Sequence, residues 1–305
     1  MDRMILVGVD GTSACHAAIR WAVLRAATLG SCVLLVYVVD DEWGMIGEQS
    51  ISELHPSSYS LVEKDAVYAR SVDSSVTVST RVLLGDPMVE LGVASREVDL
   101  VVIGTHKTGF LHGRAFGSRS LQLAATAWCP VAVIPEGSTT ERHGIVAGMD
   151  DSDAGRAAVL FAATEAHRAQ EELVLLRAWT SGVHGSKAED RAAEQRARDA
   201  LETLETQSIA LAHSAGDGVL VRTRTLRRPA AEALVDAGMS AELLVIGSSR
   251  RHGARMAALG PVSHDVLLNI AGPTLVVHGD TETGDTETGE ANAMNPRPDP
   301  IRRHQ

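Results

Sequence analysis

The chain has 305 residues, which is the length of two ordinary globular domains. Its formal net charge of −11, from 28 basic and 39 acidic residues, disfavours nonspecific nucleic-acid binding, because that needs a basic face. No apolar run reaches the roughly 18 residues that cross a bilayer, and the start of the chain lacks the layout of a signal peptide. We therefore expect a cytoplasmic protein that binds neither nucleic acid nor a membrane.

Short apolar runs alternate along the chain with segments of helical spacing. Several of the runs are continuous rather than alternating, which is typical of parallel strands buried on both faces. Strands that alternate with helices predict right-handed βαβ units. The predicted strands are Ile5–Val9, Val33–Val38, Val76–Leu84, Leu100–Ile103, Val131–Ile134, Ile145–Met149, Leu173–Ala178, Val219–Leu226, Leu243–Ile246 and Thr274–Val277.

Helix starts are also recognisable. Thr12 or Ser13 is placed to cap one helix and Ser152 another, each followed by alanines and large apolar residues at helical spacing. Pro87 and Pro229 stand where a proline opens a helix. A long polar helix is predicted over Lys187–His213.

The chain contains one unit written twice. ILVGVDGT from Ile5 matches IVAGMDDS from Ile145, and DLVVIG from Asp99 matches ELLVIG from Glu242. The same order and a nearly constant offset indicate a duplicated domain. We predict two tandem, doubly wound α/β domains, each with a five-stranded parallel sheet, over residues 1–137 and 143–279. The polar tail over 280–305 has little to bury, and we predict that it is disordered.

A ligand crevice is expected where the first and fourth strands of the first half end. In open α/β sheets, ligands bind beyond the carboxyl ends of strands, where the strand order reverses. Asp10 and Gly104 follow these two strands, so a carboxylate would face a glycine there. The loop GTHKTGFLHGRAFGSRS from Gly104 then leads into a helix whose free N–H groups suit a phosphate. A flexible connection would explain a glycine-rich loop equally well.

Taken together, these residues resemble the universal stress protein family in its nucleotide-binding branch. GVDGT from Gly8, GDP from Gly85, and VVIG with the long glycine loop resemble that family's motifs, and the resemblance covers nearly all of residues 3–278 in two copies. It implies a Rossmann-like fold of the adenine nucleotide alpha hydrolase type, with ATP, alone or with Mg²⁺, as the ligand. It also implies an intrachain pseudo-dimer of the two halves and a homodimer of chains.

The resemblance places each part of the nucleotide. Asp10 would contact adenosine, the Val38 main chain would meet the adenine edge, and Gly104 would lie against the ribose. Lys107 stands where the family motif has a glycine, so it either reaches a phosphate or obstructs the site. Gly117, Ser118 and Ser120 would hold the phosphates. The full predicted site is Asp10, Gly11, Thr12, Val38, Gly104, Lys107, Gly117, Ser118, Arg119 and Ser120.

The second half departs further from the motif. Arg250 replaces the middle glycine, and Pro261 follows Gly260 where Ser or Thr is expected, which removes one N–H donor and one hydroxyl. We therefore predict a weak or altered site there, in which Arg250, Arg251 and Arg255 either bind another anion or are solvated.

Three functions remain open from the sequence. The first is a nucleotide-binding regulatory protein. The second is a slow ATP-hydrolysing or nucleotidyl-transfer enzyme, for which His106 or His112 would be the base. The third is an interaction module that binds no nucleotide. The histidines show no HExxH or other metal spacing, so no catalytic residue or metal ligand is assigned.

Overall fold

A computed structural model of the protein describes residues 3–40, 48–106, 118–137, 142–180, 218–249 and 259–279, with single helical positions between 191 and 210. The strands are β1 Met4–Val9, β2 Cys32–Val39, β3 Val78–Leu84, β4 Leu100–Thr105, β5 Val131–Pro135, β6 Ile145–Gly148, β7 Leu173–Trp179, β8 Val221–Arg227, β9 Leu243–Ser248 and β10 Thr274–His278. The helices are α1 Ser13–Leu29, α2 Glu48–Val72, α3 Pro87–Ala94, α4 Ser118–Thr126, α5 Asp153–Ala169, α6 Ala230–Gly238 and α7 Pro261–Leu268, and a short 3₁₀ turn over Ser95–Glu97 follows α3.

All ten strands belong to one sheet, in the order β3-β2-β1-β4-β5-β10-β9-β6-β7-β8. Within each half the five strands are parallel, and the strand order reverses between β1 and β4 and again between β6 and β9. Every predicted strand is present. The doubly wound α/β fold in two tandem copies is confirmed.

The two halves join through one antiparallel contact between β5 and β10. Ala132 lies opposite Leu275, its own counterpart in the repeat, with Val131 opposite Val276 and Val133 opposite Thr274. The register is therefore symmetric about the Ala132–Leu275 pair, and an approximate two-fold axis relates the halves at this point. The pairing turns the two predicted sheets into a single continuous one.

Alanines let the helices lie close to the sheet. Ala14, Ala18, Ala22 and Ala26 are buried along α1, and the counterpart alanines Ala154, Ala158, Ala162 and Ala166 are buried along α5. Helices α1, α2 and α5 cover one face of the sheet, while α3, α4, α6 and α7 cover the other. Small side chains at i, i+4 spacing give each helix a flat face, which explains how a chain with 3% aromatic residues fills two cores.

Helix caps follow the prediction with small differences. Thr12 and Ser152 cap α1 and α5 through their hydroxyls, and Asp86 caps α3, in which Pro87 is the first residue. Pro229 precedes its helix as the cap residue instead of being its first member. Helix α2 has no counterpart among the predicted helices. The predicted helix over 187–213 lies mostly outside the described residues, although the described positions between 191 and 210 are helical.

Candidate functional site

The first candidate site begins where β1 ends. Asp10 is exposed, and its Oδ1 accepts hydrogen bonds from the Thr12 N–H at 3.0 Å and the Thr12 hydroxyl at 2.7 Å. The Thr12 hydroxyl oxygen in turn accepts from the Cys15 N–H at 3.3 Å, which caps α1. Gly11 between them has a φ of +74°, the left-handed region that favours glycine. This turn fixes the carboxylate at the carboxyl edge of the sheet through one of its two oxygens.

Gly104 lies on the neighbouring strand, as the order β1-β4 requires. It is paired with Ile134 of β5, and a Cβ atom added to it would overlap the Ala14 carbonyl group and approach the Cys15 nitrogen to 2.8 Å. Packing of α1 against β4 therefore requires a glycine here, with or without a ligand. Gly247 in the second half meets Ala154 in the same way. The contact of Gly104 with a ribose remains a prediction.

The main chain of Val38 lies beside the end of β1. The last register pair between β1 and β2 is Val9 with Tyr37, so β2 continues past β1. The Val39 carbonyl accepts from the Gly85 N–H at 3.0 Å on the β3 side. Successive strand residues direct their main-chain groups to opposite sides, so those of Val38 are directed towards the β1 side, beyond Val9. That direction suits the predicted contact with a base edge.

The predicted phosphate residues are only partly described. Lys107 and Gly117 lie outside the described residues, as do His112 and the arginines Arg250, Arg251 and Arg255. Ser118 is the first residue of α4, Arg119 is exposed and Ser120 is 7% exposed. Ser263 occupies the counterpart position of Ser120, and its hydroxyl donates to the Gly247 carbonyl at 2.8 Å. The burial of Ser120 is therefore compatible with a hydroxyl that attaches its helix to the neighbouring strand, as the Ser263 hydroxyl does.

His106 has a partner that the sequence did not reveal. Its Nδ1 lies 2.7 Å from Glu136 Oε2, across the ends of β4 and β5. Hydrogen bonds from Ser13 and then from His106 hold the pKa of the Glu136 carboxyl below its ordinary value. Both side chains are substantially exposed, so this pair forms the rim of the crevice between β4 and the start of α1.

A polar cluster behind the site was also missed, because α2 was not predicted. Asp65 on α2 is buried, lies 3.1 Å from His16 Nε2 and accepts from the Cys15 thiol at 3.7 Å, while His16 stacks on Tyr68 with ring centroids 4.4 Å apart. Burial raises the pKa of the Cys15 thiol to about 12, so it stays protonated and unreactive at neutral pH. The cluster joins the first turn of α1 to α2.

The second half repeats the turn and adds an ion pair beside it. Asp150 Oδ1 accepts from the Ser152 N–H at 3.0 Å and from the Ser152 hydroxyl, as Asp10 does from Thr12. Asp151 stands where the first half has Gly11, and both its oxygens accept from Arg177, at 3.1 and 3.2 Å. These bonds hold the pKa of the Asp151 carboxyl below its ordinary value.

The start of α7 is likewise occupied by the protein itself. The Gly260 N–H donates to the Ser248 hydroxyl at 3.4 Å, and Pro261 supplies no N–H as the first helical residue. Two donors that could meet an anion in the first half are thus absent or engaged here.

Other kinds of site are not found in the described part of the chain. No group of three or more His, Cys, Asp or Glu side chains there is arranged to hold a metal ion. None of the helices in those ranges is both long and apolar enough to cross a membrane.

Comparison with known proteins agrees with this architecture. The model of the universal stress protein family matches residues 1–135 and again 141–278. A universal stress protein of Mycobacterium tuberculosis is 29% identical over 289 residues, covering 89% of this chain and 96% of the relative. The crystal structure of a universal stress protein from Archaeoglobus fulgidus shares the fold with a TM-score of 0.68 at 15% identity, covering 90% of this chain and 98% of that one.

Two smaller members have been crystallised with nucleotides, one with cAMP and one from Arabidopsis thaliana with AMP. Each matches 45% of this chain, with TM-scores of 0.36 and 0.34, so they bear on neither the fold nor the site. The family model, in contrast, matches both halves almost from end to end. The chain therefore belongs to the universal stress protein family.

Proposed function

We propose that this chain is a nucleotide-binding regulatory protein whose first half, residues 1–137, holds an adenine nucleotide, namely ATP, beyond the ends of β1 and β4. The observation that carries the proposal is the turn at Asp10, where Gly11 adds no side chain, whereas Asp151 at the matching position is ion-paired with Arg177 and Asp150 is held as Asp10 is. Both described hydrogen bonds to Asp10 use Oδ1, so within the described residues Oδ2 remains for a ribose hydroxyl or an adenine amino group. In the second half an Arg177–Asp151 ion pair lies at the same edge.

The other parts of the nucleotide are assigned around Asp10. The base would lie against the main chain of Val38, whose polar groups are directed past the end of β1. The phosphates would meet the N-terminus of α4 at Gly117 and Ser118, where free N–H groups and the helix dipole favour an anion. Lys107 would add a positive charge to the same phosphates.

Mg²⁺ would enter with the nucleotide. Asp10 is a single carboxylate, and the described residues offer no cluster of acidic side chains around it. Divalent magnesium in such sites takes most of its ligands from phosphate oxygens and water. The described residues around Asp10 thus fit an ion carried by ATP better than a metal ion held by the protein alone.

Nucleotide occupancy would act by mass action, because a ligand that binds one conformation better shifts the population towards it. A slow ATP-hydrolysing enzyme is the second candidate, and the His106–Glu136 pair at the rim is the observation that favours it. A homodimer of chains in the cytoplasm completes the proposal, and light scattering of the purified protein tests the dimer.

The decisive test is calorimetric titration of ATP into the wild-type protein and two matched variants, Asp10→Asn and Asp150→Asn. Asparagine keeps the oxygen that accepts from residue 12 or 152, so both variants keep their turns and lose similar stability. We expect Asp10→Asn to weaken ATP binding about tenfold or more, the usual worth of a hydrogen bond to a charged group. Asp150→Asn is expected to leave the affinity unchanged.

The state of the nucleotide after incubation distinguishes the regulatory protein from the ATP-hydrolysing enzyme. Bound ATP that survives incubation supports the regulatory role, and release of ADP supports the enzyme. No binding at millimolar ATP, or equal losses in the two variants, would contradict nucleotide binding by the first half. Gly117→Val and Gly260→Val give a second matched pair, in which only the first change is expected to abolish binding.

A further inference from the structure

The contact between the halves has an approximate two-fold axis, and side chains close to such an axis meet their own counterparts. The axis passes the Ala132–Leu275 pair, whose members occupy the same position in the two copies of the repeat. Helices α1 and α5 are also counterparts, and they cover the same face of the sheet beside this axis. In a symmetric dimer of identical domains, each residue close to the axis would have to pack against a second copy of itself.

One counterpart pair at this position carries opposite charges. Arg25 of α1 and Glu165 of α5 occupy equivalent positions in the two copies, and Arg25 Nη1 donates to Glu165 Oε2. The two side chains are only 13% and 7% exposed. Arg168 adds a second donor to Glu165, at 3.3 Å from Oε1. A buried ion pair of this kind is costly to break from either side.

Aromatic rings from both halves hold the same guanidinium. The Arg25 carbon Cζ lies 5.3 Å from the ring centroid of Trp21 and 5.8 Å from that of Phe161, and these two aromatic residues are also counterparts in the repeat. Cations within about 6 Å of a ring face are attracted to it. The contact thus accommodates one arginine and one carboxylate, and each half contributes one aromatic ring to it.

We propose that Arg25 and Glu165 form a heterotypic lock, which makes each half of the chain pair with the other half and reject a copy of itself. Two first halves joined in the same register would bury Arg25 against a second Arg25, and two second halves would bury Glu165 against a second Glu165. Like charges in a buried contact are strongly unfavourable, which is how interfaces exclude wrong partners. The lock keeps the β5 edge paired within its own chain and does not depend on nucleotide binding.

Charge reversal in the full chain tests the lock. The variants are R25E, which places a carboxylate in both halves, E165R, which places an arginine in both, and the double exchange R25E/E165R. All three also carry Arg168→Thr, because Arg168 would repel an arginine at position 165 and the first half has Thr28 at the counterpart position. The parent for comparison is therefore R168T alone.

Amide hydrogen exchange of β5 and β10 measures opening of the contact, and light scattering measures association of chains. We expect R25E and E165R to speed exchange of the amides within 131–133 and 274–276 at least about a hundredfold, since one buried charge loses its partner. We expect neither single reversal to gain mass by pairing through the opened edges, since every pairing of halves in this register then joins like charges, and we expect the double exchange to restore protection at the parent's mass.

A matched control uses a pair exposed to solvent on the same helix. Arg156 and Asp153 of α5 form an ion pair with side chains 51% and 69% exposed, and R156E should change exchange of β5 and β10 by less than about fivefold. The lock is refuted if the single reversals match the parent in amide exchange, or if the double exchange is no better protected than the weaker single variant. If a single variant fails to fold, recovery in the double exchange still decides between these outcomes.

Discussion

The two halves share one backbone plan and differ in what fills the carboxyl edge of the sheet. Asp10 and Asp150 are held in matching turns by Thr12 and Ser152. The next residue is Gly11 in the first half and Asp151 in the second, and Asp151 is ion-paired with Arg177 of β7. Two differences between the halves, Asp151 for Gly11 and Arg177 for Tyr37, thus give the second half this ion pair.

The comparison separates residues that serve the fold from residues that serve a ligand. Features present in both halves, such as the glycine on β4 and β9 and the cap of α1 and α5, are explained by packing alone. Features found in one half, such as Gly11 and the His106–Glu136 pair, are where a difference in binding has to originate. Mutations at matched positions of the two halves therefore test this separation directly.

The largest effect is expected at the shared glycines. Gly104→Ala and Gly247→Ala each place a Cβ atom against the main chain of α1 or α5, and each should lower the free energy of unfolding by about 3 kcal/mol. Urea unfolding of each variant measures the free energy of unfolding. Gly260→Ala is the control, because among the described residues no atom beyond its chain neighbours lies within 4 Å of its added Cβ. Losses below about 1 kcal/mol at Gly104 would contradict a packing role.

A moderate effect is expected from the helix caps. Thr12→Ala and Ser152→Ala each remove the hydroxyl that caps a helix and bonds the preceding aspartate, so each should cost about 1 kcal/mol of stability. ATP titration should then separate them, with weaker binding only for Thr12→Ala, because the proposed function places the nucleotide at Asp10 alone. Unequal stability losses in the two variants, together with equal affinities for ATP, would contradict the assignment of the nucleotide to the first half.

The smallest effect concerns acid stability. The depressed pKa of Glu136 means that its carboxylate stabilises the fold above the ordinary value of 4.5, and that this contribution is lost as the pH falls through the folded-state pKa. Glu136→Gln should therefore flatten the fall in melting temperature below pH 4.5. Asp151→Asn should flatten it only below pH 3.8, in the second half. Parallel curves for the wild type and both variants would contradict these pairings.

The sequence predicted the strands well because most are short apolar runs between polar turns, although the edge strands β3 and β8 mix apolar and polar residues. Helix α2 was not predicted, because its polar start at Glu48 gives weak helical periodicity. Asp65 and Tyr68 lie on this helix, so the sequence did not reveal them as partners of His16. The β5–β10 pairing was not readable either, as both strands look like ordinary buried strands. The Arg25–Glu165 contact depends on that pairing, although the repeat places the two residues at counterpart positions.

The candidate site was predicted in outline only. Asp10, Thr12 and Gly104 lie together as expected, because parallel strands end at one edge. Helix packing requires Gly104 in addition, and its contact with a ribose stays a prediction. The Asp151–Arg177 ion pair joins residues that lie on different elements, and no local motif predicts such a contact.

The number of nucleotides bound per chain tests the central claim most directly. Native mass spectrometry of the purified protein, titrated with Mg²⁺ and ATP, counts them without a model of affinity. At a concentration that just fills the wild type, we predict one ATP per chain in the wild type and in Asp150→Asn, and a markedly lower occupancy in Asp10→Asn. Two ATP molecules bound with equal affinity, or none, would contradict a single site in the first half.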